Sequence, residues 1–233
     1  MKSPPATPLN VRIDAQQQVS ALLNLPDPVR AGLVFAHGAG AGMAHPFMAA
    51  VAEQLAQRGI ATLRYQFPYM ERRSKRPDSP RVAHAAVRAA AAEARVRLAG
   101  LPLFAGGKSF GGRMTSQAQA ESPLEGVLGL VFVGFPLHPA GTPATDRAAH
   151  LSGVACPLLF LQGTRDELAE LSLIQAEVAK LSPRASLNVF DDADHSFHVR
   201  ARSGQTDAGV LAALVDAMVA WIDRITAAGD DRH

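Results

Sequence analysis

Short apolar runs of strand length recur along this chain, and segments with a helical period lie between them. Residues 31–36 (AGLVFA), 60–65 (IATLRY), 103–105 (LFA), 127–135 (VLGLVFVGF), 158–161 and 187–190 are the runs. Between the first two, Met48, Val51, Ala52 and Leu55 fall at i, i+3, i+4 and i+7, the spacing of one helix face, and Gly59 closes that helix. Asp78-Ser79-Pro80 opens an alanine-rich helix over 81–98, with serine as cap and proline at the first position. Further helices are expected over 114–120, 167–181 and 206–225, the last with Leu211, Leu214, Val215, Met218 and Ile222 on one stripe. Residues 11–14 and 19–25 form an opening pair of strands. Strands that are apolar nearly throughout, separated by helices, need cover on both faces, which means a mostly parallel sheet between two helical layers. The expected class is α/β, with about seven or eight strands.

Composition narrows the functional classes. The 233 residues are 48% hydrophobic and 19% charged, enough apolar content for one sizeable core. The expected organisation is a proline-rich, loose arm over residues 1–9 and a single domain over 10–228, with a densely charged loop at 67–80. Lys and Arg total 23 against 21 Asp and Glu, too small an excess for a nucleic-acid surface. Cys156 is the only cysteine, so neither an internal disulfide nor a thiolate zinc site can be built. No uninterrupted apolar stretch reaches the roughly 18 residues of a membrane span, and the opening residues lack the apolar core of a secretory signal. A cytoplasmic location is expected.

In open parallel sheets chemistry gathers at the carboxyl ends of strands. Gly107-Lys108-Ser109-Phe110-Gly111 follows the run at 103–105 and fits G-x-S-x-G, a sharp strand-to-helix turn that exposes a serine. Glycines are needed at 107 and 111 because neighbouring backbone approaches on either side. The same residues contain Gly-Lys-Ser, but a phosphate loop requires glycine where Pro102 stands, and the strand at 131–134 ends without an aspartate for magnesium. The nucleotide reading fails.

A serine nucleophile needs a base, usually a histidine oriented by a carboxylate. Asp166 follows the run at 158–161 and His195 follows the run at 187–190, so serine, acid and histidine each end a separate strand in the required order. The competing role for Asp166 is a cap on the helix expected at Glu167. His195 and His198 at i, i+3 lack a third ligand nearby, so no metal is expected. Asp191, Asp192 and Asp194 read as solvated turn residues. For the oxyanion formed on attack, one donor is the amide of Phe110 and the second comes from His37-Gly38-Ala39-Gly40, with Ala39 preferred over Gly40. His37 is expected at the substrate site, where it orients this loop through hydrogen bonds. Leu137 and His138, within 136–143, are expected to wall the site. Arg72, Arg73, Lys75 and Arg76 of the charged loop reach toward an anionic acyl substrate or else form a solvated loop.

HGAG, GKSFGG, QGTRDE and DADHSF, in this order, resemble the α/β-hydrolase superfamily over nearly the whole chain, from about Val11 to Ile225. The compact size is similar to the dienelactone-hydrolase-like branch. It is also similar to a group related to testis-expressed hydrolase-like proteins and to a regulatory subunit of a histone acetyltransferase complex. The resemblance implies an α/β-hydrolase fold with Ser109 as nucleophile, His195 as base and Asp166 as acid. One departure is informative: dienelactone hydrolases proper use cysteine where this chain has Ser109. The stretch between Phe135 and Leu158 is too short for a large helical cap. The expected activity is cleavage of an ester, thioester or lactone through an acyl-enzyme, without a cofactor. The expected partner is a small acyl molecule, with neither nucleic acid nor membrane, and a homodimer is left open. The alternative is a non-catalytic interaction module on the same scaffold.

Overall fold

The computed structural model describes residues 5–230. Its strands are β1 (Thr7–Arg12), β2 (Gln18–Asn24), β3 (Ala31–Ala36), β4 (Ile60–Tyr65), β5 (Leu103–Lys108), β6 (Val127–Val133), β7 (Leu158–Gly163) and β8 (Ala185–Phe190). Its helices are α1 (Pro46–Ala56), α2 (Pro68–Glu71), α3 (Pro80–Arg97), α4 (Phe110–Glu121), α5 (Leu171–Lys180) and α6 (Asp207–Asp230), with short 3-10 segments at Asp146–Gly153 and Ala201–Ser203. One eight-stranded sheet runs in the order β1-β2-β4-β3-β5-β6-β7-β8. Only the β1–β2 and β2–β4 pairings are antiparallel.

Side chains alternate across a strand, so an all-apolar strand feeds two cores at once. In β6, Leu130 and Phe132 enter the core beneath α3, α4 and α5, while Val131 and Val133 enter the one beneath α1 and α6. In β7, Leu158 and Phe160 divide from Leu159 and Leu161 in the same way. This is why these runs lack the polar alternation of a one-faced sheet. The alanines of α3 serve the same packing: Ala83, Ala86, Ala90 and Ala94 are fully buried.

Three expectations change. The loose arm does not extend to residue 9, because Thr7, Pro8 and Leu9 pair with Leu23, Leu22 and Ala21. Pro8 fits because β1 is an edge strand, where a missing N–H costs little; residues 1–4 of that expected arm lie outside the described residues. The charged loop at 67–80 begins with α2, which has Pro68 at its first position. The helix expected from Glu167 starts only at Leu171. Asp166 holds the intervening turn, accepting from the Leu168 amide at 2.8 Å through its side chain and from the Ala169 amide at 3.2 Å through its carbonyl.

The chain leaves β3 in one direction, toward β4, and returns beside β3 as β5 to continue the other way. The sheet order therefore reverses between β3 and β5, and the crevice at their carboxyl ends is where such sheets bind ligands. Among the described residues no helix is long and apolar enough to cross a membrane.

Candidate active site

Ser109 stands between β5 and α4 with φ 51° and ψ −115°. A non-glycine residue held at positive φ stores about 1–3 kcal/mol of strain. The surroundings enforce it. The Ser109 amide donates to the Val133 carbonyl at 3.0 Å. A Cβ placed on Gly107 or on Gly111 would stand 2.5 Å from the Ala36 carbonyl oxygen, so β3 closes on the turn from below. Although Ser109 is the N-cap of α4, its hydroxyl makes no capping bond. It faces the His195 Nε2 at 2.8 Å instead.

His195 in turn meets Asp166, with 2.7 Å between its Nδ1 and the carboxylate Oδ2. The Asp166 side chain is wholly buried, while the imidazole keeps 24% exposure. The same carboxylate accepts from the Gln162 side chain as well as from the Leu168 amide. The cap expected of Asp166 is not formed, since α5 starts at Leu171 with Glu170 as its N-cap; the carboxylate instead holds the preceding turn through one oxygen and meets His195 through the other. The sequence places Ser109, His195 and Asp166 at three strand ends, and the structure brings them into one hydrogen-bonded line.

The histidine loop is fastened by residues that sequence reasoning did not select. The Lys108 ammonium donates to the His195 carbonyl at 2.6 Å and lies 5.7 Å from the Phe197 ring centre. Burial brings the Lys108 pKa down to about 8, against the opposing charges of Asp166 and Asp194. The lysine of the apparent phosphate motif thus holds backbone. Asp194 accepts from the Ser196 and His198 amides, and Asp192 pairs with Arg200 and Arg165. These two aspartates brace the loop, a correction to their reading as solvated. Gly134 is held at φ 66°, a backbone region that favours glycine, and a Cβ there would stand 3.0 Å from the Lys108 Nζ that fastens this loop. The signal that could have found Lys108 is its place beside the serine at the end of a buried strand.

Two clefts meet at Ser109. The first, about 200 Å³, is bordered by Ala39, His45, Phe47, Lys108 and His195. The second, about 350 Å³, is bordered by Ala39, Phe110, Arg113, Met114, Pro136 and Arg147. Ala39 borders both, whereas Gly40, at φ 75°, lines neither.

Several expected substrate contacts are not there. His37 is fully buried and lines neither cleft. Its Nε2 accepts from the Phe67 amide at 3.1 Å and its Nδ1 donates to the Gly38 carbonyl at 2.8 Å, so it binds the β3 loop to the β4 loop as a neutral ring. Burial drives its pKa down to about 4, with the Gly38 carbonyl opposing. Leu137 is buried in the core, and His138 donates to the Pro139 carbonyl and accepts from the Glu170 amide. Only Pro136 of that segment reaches the cleft. Arg72 is drawn to Asp78 at 2.6 Å, and neither it nor Arg73 lines the clefts. The loop contributes Pro77, Asp78 and Pro80 instead.

A doubly wound sheet with a serine, histidine and aspartate joined in its crevice defines the class of protein. The profile of the alpha/beta hydrolase domain matches residues 29–223, and the chain belongs to that family. Among solved structures it resembles a dienelactone hydrolase from Anabaena variabilis at 23% identity and TM-score 0.76, over 95% of this chain and 98% of that one. It also resembles a lidless α/β serine hydrolase from Xanthomonas campestris at 21% identity and TM-score 0.72, over 93% and 95%. A serine hydrolase homologue from Coxiella burnetii is similar at 20% identity and TM-score 0.73, over 91% and 95%. At these identities the likeness speaks to the fold.

Proposed function

We propose that the protein is a serine hydrolase that cleaves a carboxylic ester-like bond through an acyl-enzyme on Ser109. The observation that carries this reading is the line from the Ser109 hydroxyl to the His195 Nε2 and from its Nδ1 to buried Asp166. Asp166 accepts a hydrogen bond from the Nδ1–H, which fixes the tautomer in which the Nε2 lone pair can take the proton of Ser109 as its oxygen attacks the substrate carbonyl. The tetrahedral oxyanion is held by the amide of Phe110, at the start of α4, and by that of Ala39 at the junction of the clefts. His195 then protonates the leaving group. Water, deprotonated by the same ring, adds to the acyl carbonyl, and collapse returns the proton to Ser109 and releases the acid. Ester, thioester and lactone carbonyls all fit this chemistry. Lys108 acts as a positioning residue through the His195 carbonyl.

A fluorophosphonate probe tests the reading directly. Labelling is expected at Ser109 and is lost in Ser109→Ala and His195→Ala, with turnover of a phenyl ester falling by about 10⁴ or more in both. Folded protein that takes no label and turns over no ester would instead support the interaction-module alternative.

A further inference from the structure

Resting on the serine-hydrolase reading, we infer that the second cleft is the acyl site and that Arg113 and Arg147 in it receive a carboxylate at the far end of the acyl chain. The assignment of sides comes from the proton. His195 borders the first cleft and not the second. The group that leaves must take its proton from His195, so the leaving alcohol lies in the first cleft and the acyl chain in the second.

The chemistry of the second cleft then describes the chain. Phe110, Met114, Pro136 and Leu168 give it an apolar wall suited to methylenes. The same cleft is lined by two arginines, Arg113 one turn into α4 and Arg147 in the 3-10 segment Asp146–Gly153. Both are partly buried, and neither makes a side-chain ion pair among the described residues. The Arg113 Nε is buried without a hydrogen-bond partner. Burial and the charge of Arg147 depress the Arg113 pKa, and His150 is driven down to about 4 by burial first and then by Arg113. Folding has thus gathered positive charge beside the second cleft. The cleft's one carboxylate, Asp78, is already engaged by the Tyr69 amide and Arg72.

An isolated buried donor is destabilising unless something accepts from it, and a guanidinium presents its N–H groups as a planar fork suited to a carboxylate. A carboxylate between these arginines would satisfy the orphaned donor and screen the two cations from each other. The substrate class is therefore the monoester of a dicarboxylic acid, hydrolysed to the dicarboxylate and an alcohol.

The test compares monophenyl adipate with phenyl hexanoate, which share acyl length and leaving group and differ in the terminal charge. The wild-type kcat/KM is expected to favour the adipate ester by about tenfold or more, mainly through KM and less so at high salt. In R113Q and R147Q the adipate-to-hexanoate ratio is expected to fall by about tenfold, and R113K is expected to restore part of it. A wild type that prefers hexanoate, or a ratio unchanged in R113Q, overturns the inference while leaving the hydrolase reading intact. If neither ester is cleaved, calorimetric titration of the folded protein with adipate separates the two ideas. Binding that is lost in R113Q upholds the anion site while fluorophosphonate labelling of Ser109 decides the hydrolase reading, whereas absence of binding at millimolar adipate removes the site.

Discussion

Ser109 shows how much a single residue can be constrained by its neighbours. Its positive φ is strained for any residue with a Cβ, and the strain holds the hydroxyl toward His195. Ser109→Gly should therefore abolish turnover yet stabilise the fold by about 1 kcal/mol, read as a higher midpoint in thermal or denaturant unfolding; a lowered midpoint would contradict the strain. His37 makes the opposite kind of contribution. Its folded pKa of about 4 lies below the ordinary imidazole value of 6.5, so the unfolded chain binds the proton more readily. The stability it supplies is complete above pH 6.5 and is lost as pH falls toward 4, to the extent of about 3 kcal/mol. Thermal midpoints measured across this window should drop before most carboxylates titrate. A flat profile would show that His37 does not resist protonation. The motifs at Ser109, Asp166 and His195 were legible because each sits directly after an apolar run. Lys108 carried a signal only in its place beside the serine, and Arg113 carried none, since an arginine looks the same in sequence whether it faces solvent or a cleft.

At the scale of elements, the turn from β5 to α4 works only because β3 lies against it. The Ala36 carbonyl is 2.5 Å from where a Cβ would stand at Gly107 or Gly111, and that oxygen belongs to a buried strand that cannot retreat. Gly111→Ala should destabilise the protein by about 3 kcal/mol or leave it unfolded, as measured by denaturant titration. Stability within about 0.5 kcal/mol of wild type would mean that β3 is free to move. The loops at the ends of β7 and β8 are joined as closely, since a Cβ on Gly163 would stand 2.3 Å from the Ala193 carbonyl. Element type was readable from period and length for the sheet strands and for α1, α3 and α6. The start of α5 was not, because the hydrogen bonds that hold residues 166–170 in a turn include one to His138, far away in sequence.

At the scale of the whole molecule, an edge strand closes the sheet on the β1 side. β1 covers β2, whose Val19, Ala21 and Leu23 belong to the core. Deleting residues 1–12 should lower the thermal midpoint and produce self-association visible by size-exclusion chromatography, because an uncovered strand offers its N–H and C=O groups to another chain. A monomer of unchanged midpoint would show β1 to be dispensable. Sequence alone determined the α/β architecture and the order of the chemical groups, because two-faced burial and strand-end placement are written locally, in apolar runs and the residues just after them. Tertiary structure alone decided which polar groups meet. It turned His37 and His138 inward to backbone, drew Arg72 to Asp78, and left Arg113 and Arg147 facing a cleft. Those outcomes depend on which strands become neighbours, and pairing across long stretches of chain leaves no mark in the local pattern.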